Sequence, residues 1–437
     1  MKAIKTRLAA MGFLEFAVWG SYLTSLGAYL AQIGQAEHIG WFYAVQGVVS
    51  IFMPALVGIC ADRWIPAQKM LSLCHLIAGA FMLAAGMYAM NAGDAVQFGP
   101  LFTLYTISVG FFMPTIGLSN SVSYTALGKA GLDIIKHFPP IRVFGTIGFI
   151  CAMLFVNFTG YQNTYAQLIT SGILSFVPAA YALTMPACPI NKGANKSLSE
   201  ALGLKAFLLF KDSKMAIFFI FSMLLGVSLQ ITNGFANPFI QSFGSIPEYA
   251  GAWGVENANA LISLSQMSET LCILLIPYFL RRFGIKTVML MAMLAWVFRF
   301  GFFGIGNPGS GVWLFVLSMI VYGIAFDFFN VSGSLYVDQQ TTPEIRSSAQ
   351  GLFMIMTNGI GATIGTLSAQ AVINRVVYSQ PEGVAQATGW SHAWLIFAAY
   401  AFVVAVLFFL IFKNPKKEET KHQLTEAEAA ASETDAI

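Results

Sequence analysis

Charge is scarce in this sequence: only 10% of its 437 residues are Asp, Glu, Lys or Arg. A soluble domain of this length needs far more to cover its surface, so that class is excluded. Cysteine is scarce too. Cys60, Cys74, Cys151, Cys188 and Cys272 stand alone, with no CxxC pair and no metal-spaced cluster of cysteines and histidines around them. That excludes a disulfide framework and a zinc site, and leaves them as small core residues. His38, His75, His137, His392 and His422 are scattered, and neither HExxH nor a nucleotide-binding loop occurs. An integral-membrane enzyme or receptor loses its usual signatures, and no cofactor, metal or nucleic-acid partner is expected.

What is present is apolar: 57% hydrophobic and 14% aromatic residues, with a mean hydropathy of +0.69. Runs of membrane-spanning length fall near 8–32, 39–61, 69–91, 99–123, 140–158 and 165–184, and again near 213–240, 257–280, 286–305, 312–337, 346–374 and 391–413. Lys2, Lys5 and Arg7 precede the first run and no small-residue cleavage site follows, so it reads as a retained helix. The longest polar connection, 185–212, separates the two sets; Ser197 and Glu200 form a capping box opening a short amphipathic helix there. The expected plan is an all-α membrane protein: a six-helix bundle at 1–184, a linker at 185–212, a second bundle at 213–413, and a polar, mostly disordered tail at 414–437.

The bases orient it. Lys2, Lys5, Arg7, Arg63, Lys69, Lys129, Lys136, five lysines within 192–214, Arg281, Arg282, Lys286, Arg346 and the tail lysines fall on one side, and only Arg375 on the other. The basic side is the cytoplasmic one, which puts both termini and the linker inside and requires an even number of spans. Six spans, a cytoplasmic linker and six more is the plan of the major facilitator superfamily, with a central site near the midplane.

Within the spans, ionisable residues are few: Glu15, Arg142, Glu269, Arg299 and Asp327. Asp327 sits in LSMIVYGIAFDFFN, 317–330, among Tyr322, Phe326, Phe328 and Phe329. A carboxylate at the centre of a span costs about 2.5 to 3.5 kcal/mol to insert, so it usually faces a bundle interior or a wet cavity. Tyr322 and Phe326, one turn apart, suit stacking on a flat polar solute and read as the floor of a substrate cavity. In the fifth span, a helix expected to start after Pro139 and Pro140, Arg142, Thr146 and Phe149 share one stripe. The alternative for Arg142 is snorkelling to the headgroups. Gln230 with Asn233, and Gln266 with Glu269, are i, i+3 pairs whose amides suit a base or sugar edge; interhelical hydrogen bonding is the alternative. Glu15 lies close enough to the cytoplasmic surface to be hydrated and reads as structural, and Arg299 reads as a packing or ion-pair residue. Phe218, Phe219 and Phe221 read as lipid-facing or core. A carboxylate that loses water as a cavity closes around it binds a proton more readily, so Asp327 or Glu269 is the expected proton carrier.

The chain also resembles the nucleoside:proton symporters of the major facilitator superfamily, the bacterial nucleoside and xanthosine permease group. The resemblance runs through FLEFAVWGSYLTSLG (13–27), FMPALVGICADRW (52–64), MPTIGLSNSVSY (113–124), FPPIRVFGTIGFI (138–150), AIFFIFSMLLGVSLQITN (216–233), SQMSETL (265–271), LSMIVYGIAFDFFN (317–330) and IRSSAQG (345–351), and covers the chain to about residue 413. It implies import of nucleosides with protons across the bacterial inner membrane by a monomer embedded in lipid. It also implies a binding site of Arg142, Thr146, Phe149, Gln230, Asn233, Gln266, Glu269, Tyr322, Phe326 and Asp327. Two departures stand out. The superfamily signature after the second span is reduced to GICADRW, where Asp62 and Arg63 would latch a gate or simply sit in a solvated loop. Glu15 stands where the family carries glutamine, which adds a third acid to the candidates for proton coupling. The competing readings are a sugar:proton symporter of the same superfamily and a non-transporting membrane sensor.

Overall fold

The computed structural model describes residues 2–190, 204–341 and 343–413, almost all of them helical. The chain begins with α1 (Lys2–Gly20) and α2 (Leu26–Gln32), which make the first crossing with a turn between them. Serine and threonine cause that turn. Ser21 donates to the Ala17 carbonyl at 2.8 Å, where its hydroxyl competes with the helical ladder, while Thr24 and Ser25 donate to Asn259 and Gln167 on other helices and hold the turn in place. The continuous run expected over 8–32 is thus broken near its outer end. Crossings two to six are α3 (Ile39–Arg63), α4 (Ala67–Ala92), α5 (Phe98–Lys129), α6 (Ile134–Phe158) and α7 (Ala166–Ala182).

α6 starts at Ile134, several residues before the expected point, and runs through Pro139 and Pro140. Its first turn is built on Asp133, whose side chain and carbonyl accept from the amides of Lys136 and His137 at 3.2 and 3.1 Å. The prolines therefore interrupt an already nucleated helix. In the linker, Leu204–Lys211 is a 3-10 helix, whereas the capping box at Ser197 and Glu200 lies outside the described residues, as does the tail from 414.

The seventh crossing is α8 (Ser213–Leu229) and α9 (Ile231–Ser242), separated at Gln230. After the short α10 (Trp253–Glu256), α11 (Ala258–Ile305) supplies crossings eight and nine, divided at Gly284, whose φ of 77° admits glycine but strains other residues. α12 (Val312–Gln340) is the tenth. α13 (Pro343–Met354), a π-helical stretch Ile355–Gly361 and α14 (Ala362–Val376) form the eleventh, and α15 (Val384–Ile411) the twelfth.

Helix packing falls into two groups, α1 to α7 and α8 to α15. Small residues let backbones touch, as they must where lipid offers no hydrophobic drive between helices. A Cβ on Gly148 would lie 2.1 Å from the Phe13 carbonyl, and one on Gly20 2.4 Å from that of Phe149, so α6 lies directly on α1. Gly323 brings α12 equally close to Ser268 of α11. Phe218, Phe219 and Phe221 are buried in the core of the second group.

Basic residues gather at one end of the helices: Lys5 contacts His137 at 3.1 Å, Arg7 reaches the Thr184 carbonyl, Lys129 that of Ala187, and Lys286 that of Phe409. At the opposite end the two groups are tied together by amides. Asn157 donates to Asn257 at 2.8 Å, Gln162 to the Glu256 carbonyl at 2.8 Å, Gln241 to Asn163 at 2.7 Å, and Asn259 to the Met153 carbonyl at 3.0 Å. Gln370 joins α14 to the start of α3 through the Gly40 amide and the Ala36 carbonyl.

Candidate functional site

Between the two groups lies a cavity of about 1050 Å³. It is sealed at the amide end and reaches Arg63 and Ser348 at the basic end. Nine of the ten residues expected to bind substrate line it: Arg142, Thr146, Phe149, Gln230, Asn233, Gln266, Glu269, Tyr322 and Phe326. Asp327 does not. It is buried, next to Phe326 along α12, and its Oδ2 has no hydrogen-bond partner among the described residues.

The wall from the first group is built on the α1 and α6 contact. Because Gly145 carries no side chain, and a Cβ there would meet both Phe16 and Arg142, Arg142 of α6 packs over Phe16 of α1, its Cζ 4.0 Å from the ring centroid. Trp19 meets Phe149 edge to face at 6.1 Å. A guanidinium, a hydroxyl and three rings thus share one surface. Sequence reasoning passed over Phe16, Trp19 and Gln46, all of which line the cavity. The i, i+3 spacing of Phe16 and Trp19 within FLEFAVW is the signal that could have found the first two.

The opposing wall uses the break in the seventh crossing. Gln230 closes α8, and its Oε1 accepts from Asn233 at 2.9 Å, so the amide pair is held as one unit facing the cavity. Tyr322 and Phe326 are stacked, 5.6 Å between centroids and 18° between planes. Arg299 lies behind them, fully buried, with Cζ 4.3 Å from the Tyr322 centroid, and donates to the Ser318 carbonyl at 2.8 Å. Its role is packing: among the described residues its contacts are carbonyl, hydroxyl and π faces, with no carboxylate.

Charge is concentrated across the gap. Arg142 from the first group has Glu269 as its strongest acidic neighbour, with Glu15 and Asp327 next. Asp327 in turn feels Glu269 and then Arg142. Two acids on adjacent helices and one base on the facing wall form a cluster that can change net charge by a proton while remaining compensated.

Glu15 departs from expectation. It is not hydrated: it is buried, and its Oε2 lies 2.7 Å from Nε2 of His75, which is also fully buried. Thr115 donates to its other oxygen at 2.5 Å, and Ser175 sits 3.2 Å from His75 Nδ1. This pin joins α1, α4, α5 and α7 away from the cavity lining. Spacing along the chain could not pair Glu15 with His75, which are 60 residues apart. Arg63 stands at the cavity mouth, and the side chain of Asp62 lies outside the described residues.

The chain is similar to several known proteins along nearly its whole length. The family profile described as "Nucleoside H+ symporter" matches residues 1–417. The xanthosine permease of Escherichia coli K12 is 46% identical over 426 residues, which is 96% of this chain and 99% of that protein. The nucleoside permease NupG of the same strain is 45% identical over 414 residues, 94% and 96% respectively. A crystal structure of the nucleoside transporter NupG superposes with a TM-score of 0.85 at 44% identity, covering 94% of this chain and all of that one. The inward open xylose transporter XylE from E. coli, at 13% identity, shares the fold with a TM-score of 0.66.

Proposed function

The chain belongs to the nucleoside H+ symporter family and has the major facilitator fold of two six-helix bundles, and from these premises we propose how it works: a carrier, not an enzyme, that imports nucleosides with protons across the bacterial inner membrane. The single observation that carries this reading is the cavity itself, where stacked Tyr322 and Phe326 share a wall with amides of their own bundle and the Arg142 guanidinium lines the wall of the other bundle. Rings take the flat face of a base, while Gln230, Asn233, Gln266 and Glu269 offer both donors and acceptors to base edges and ribose hydroxyls. A sugar needs the hydrogen bonds but not the stacked rings.

In this reading the basic end faces the cytoplasm, both termini lie inside, and the cavity opens inward past Arg63, a gate residue. Asp327 and Glu269 carry the coupling proton, with Arg142 compensating them across the gap. No cofactor is required, protons being the coupling ion, and the bundles at 1–184 and 213–413 of a single monomer move about the site. The test is uptake of labelled uridine into proteoliposomes under an imposed inward proton gradient. Accumulation above equilibrium that a protonophore abolishes supports the reading; exchange without accumulation replaces it with a facilitator, and competition by free ribose as strong as by uridine replaces it with a sugar carrier.

The amide ties at the far end act as the closed outer gate. Membrane hydrogen bonds of this kind average about 0.6 kcal/mol each, so breaking several together shifts the inward/outward balance about tenfold. Asn157→Ala combined with Asn259→Ala is therefore expected to populate a longer distance between spin labels placed at Tyr161 and Glu248. An unchanged distance distribution would remove the gate role.

Glu15 serves as structure in this scheme, its carboxylate being held between His75 and Thr115. Glu15→Gln keeps the hydrogen-bonding shape of the pin, whereas Glu15→Leu strands buried His75 and is expected to cost roughly 3 kcal/mol. Thermal unfolding in detergent separates the two. A Glu15→Gln protein that unfolds like wild type but loses the pH dependence of uptake would make Glu15 a proton carrier after all.

A further inference from the structure

A second concavity, of about 520 Å³, lies on the outer surface of α11 and is unrelated to the central cavity. Its lining is a single helical stripe: Leu274, Pro277, Tyr278, Arg281 and Arg282, at i, i+3 or i+4, and i+7 or i+8. All five are exposed, Leu274 by 74% and Tyr278 by 64%. In water so much apolar surface would be a liability; in a membrane protein it faces acyl chains. The stripe is graded along the helix. It runs from an aliphatic side chain, past a proline, to a phenol, a group that membrane interfaces favour, and ends in two guanidinium groups just before the Gly284 break.

That gradation matches one kind of molecule. We propose that the stripe is a binding site for an anionic phospholipid: an acyl chain along Leu274 and Pro277, the glycerol region at Tyr278, and the headgroup phosphate on Arg281 and Arg282. Arginine forks bind phosphate in two-pronged fashion, and two of them on one headgroup favour a lipid of net negative charge over a zwitterionic one, whose own ammonium already answers its phosphate. Basic pockets beside spanning helices on this side of a membrane hold such headgroups. The same helix carries Gln266 and Glu269 into the transport cavity, so a lipid seated here would brace a wall of the site from outside.

The experiment uses the full-length protein in nanodiscs of equal phosphatidylglycerol and phosphatidylethanolamine, released into native mass spectrometry. Retained phosphatidylglycerol is expected to exceed phosphatidylethanolamine about tenfold, the size of one lost charge-assisted hydrogen bond. The excess should fall by a similar factor in Arg282→Gln and in Tyr278→Ala, and persist in Lys69→Gln, which removes a base from the same side but not from the stripe. Nucleoside counterflow in each variant verifies that it is folded. If Arg282→Gln is poorly folded, Arg282→Lys keeps the charge but loses the fork, and should show a partial fall. Equal retention of the two lipids, an undiminished excess in the stripe variants, or release of the bound lipid by millimolar inorganic phosphate would each overturn the proposal.

Discussion

Asp327→Asn is expected to bring the accumulation of uridine down to its equilibrium value while leaving counterflow exchange measurable. One proton moving down 100 mV supplies about 2.3 kcal/mol, enough for roughly fifty-fold accumulation of a neutral solute, so the full effect is a loss of about that factor. The physical reason is the setting of the carboxyl group. It is buried, its Oδ2 lacks a partner among the described residues, and it feels the charges of Glu269 and Arg142. Asparagine fills the same volume but cannot change charge, so the closing cavity has nothing to neutralise. Glu269→Gln should reduce accumulation as well and also weaken binding, because Glu269 lines the cavity and Asp327 does not. The measurement is proteoliposome uptake at fixed membrane potential beside exchange at zero potential. Proton coupling through these acids is sunk if both variants accumulate uridine as the wild type does.

Phe326→Ala should weaken nucleoside binding by about tenfold to a hundredfold, since stacking a base on an aromatic ring contributes about 1–3 kcal/mol. Phe326 lines the cavity and stacks on Tyr322, which Arg299 holds from behind. Removing the outer ring deletes the surface that a base would cover without disturbing that support. Phe219→Ala is the control. Phe219 is fully buried among Phe210 and Phe218, so its loss costs stability but leaves the cavity intact. Calorimetric affinities for uridine and for ribose decide the matter. Equal losses in the two variants, or equal losses for uridine and ribose in Phe326→Ala, would remove the stacking role.

The membrane setting, the twelve crossings and most of the cavity wall were legible in the order of residues alone. Length and hydropathy force apolar runs across a bilayer, and helical spacing puts Arg142 with Thr146 and Phe149, or Gln266 with Glu269, on common faces whatever the neighbours do. Asp327 is conspicuous for a similar reason: an acid within an apolar run has few places to go. Tertiary structure decided what spacing cannot encode. That Arg142 lies over Phe16 depends on glycines letting two backbones touch. That Glu15 is dry and paired with His75 depends on four helices meeting, and the helix start before Pro139 depends on a turn built by Asp133. That Asp327 is buried and not among the cavity-lining residues depends on how α12 packs against α11, where Gly323 meets Ser268. Local periodicity fixes which residues share a face; only close packing between helices fixes what that face meets.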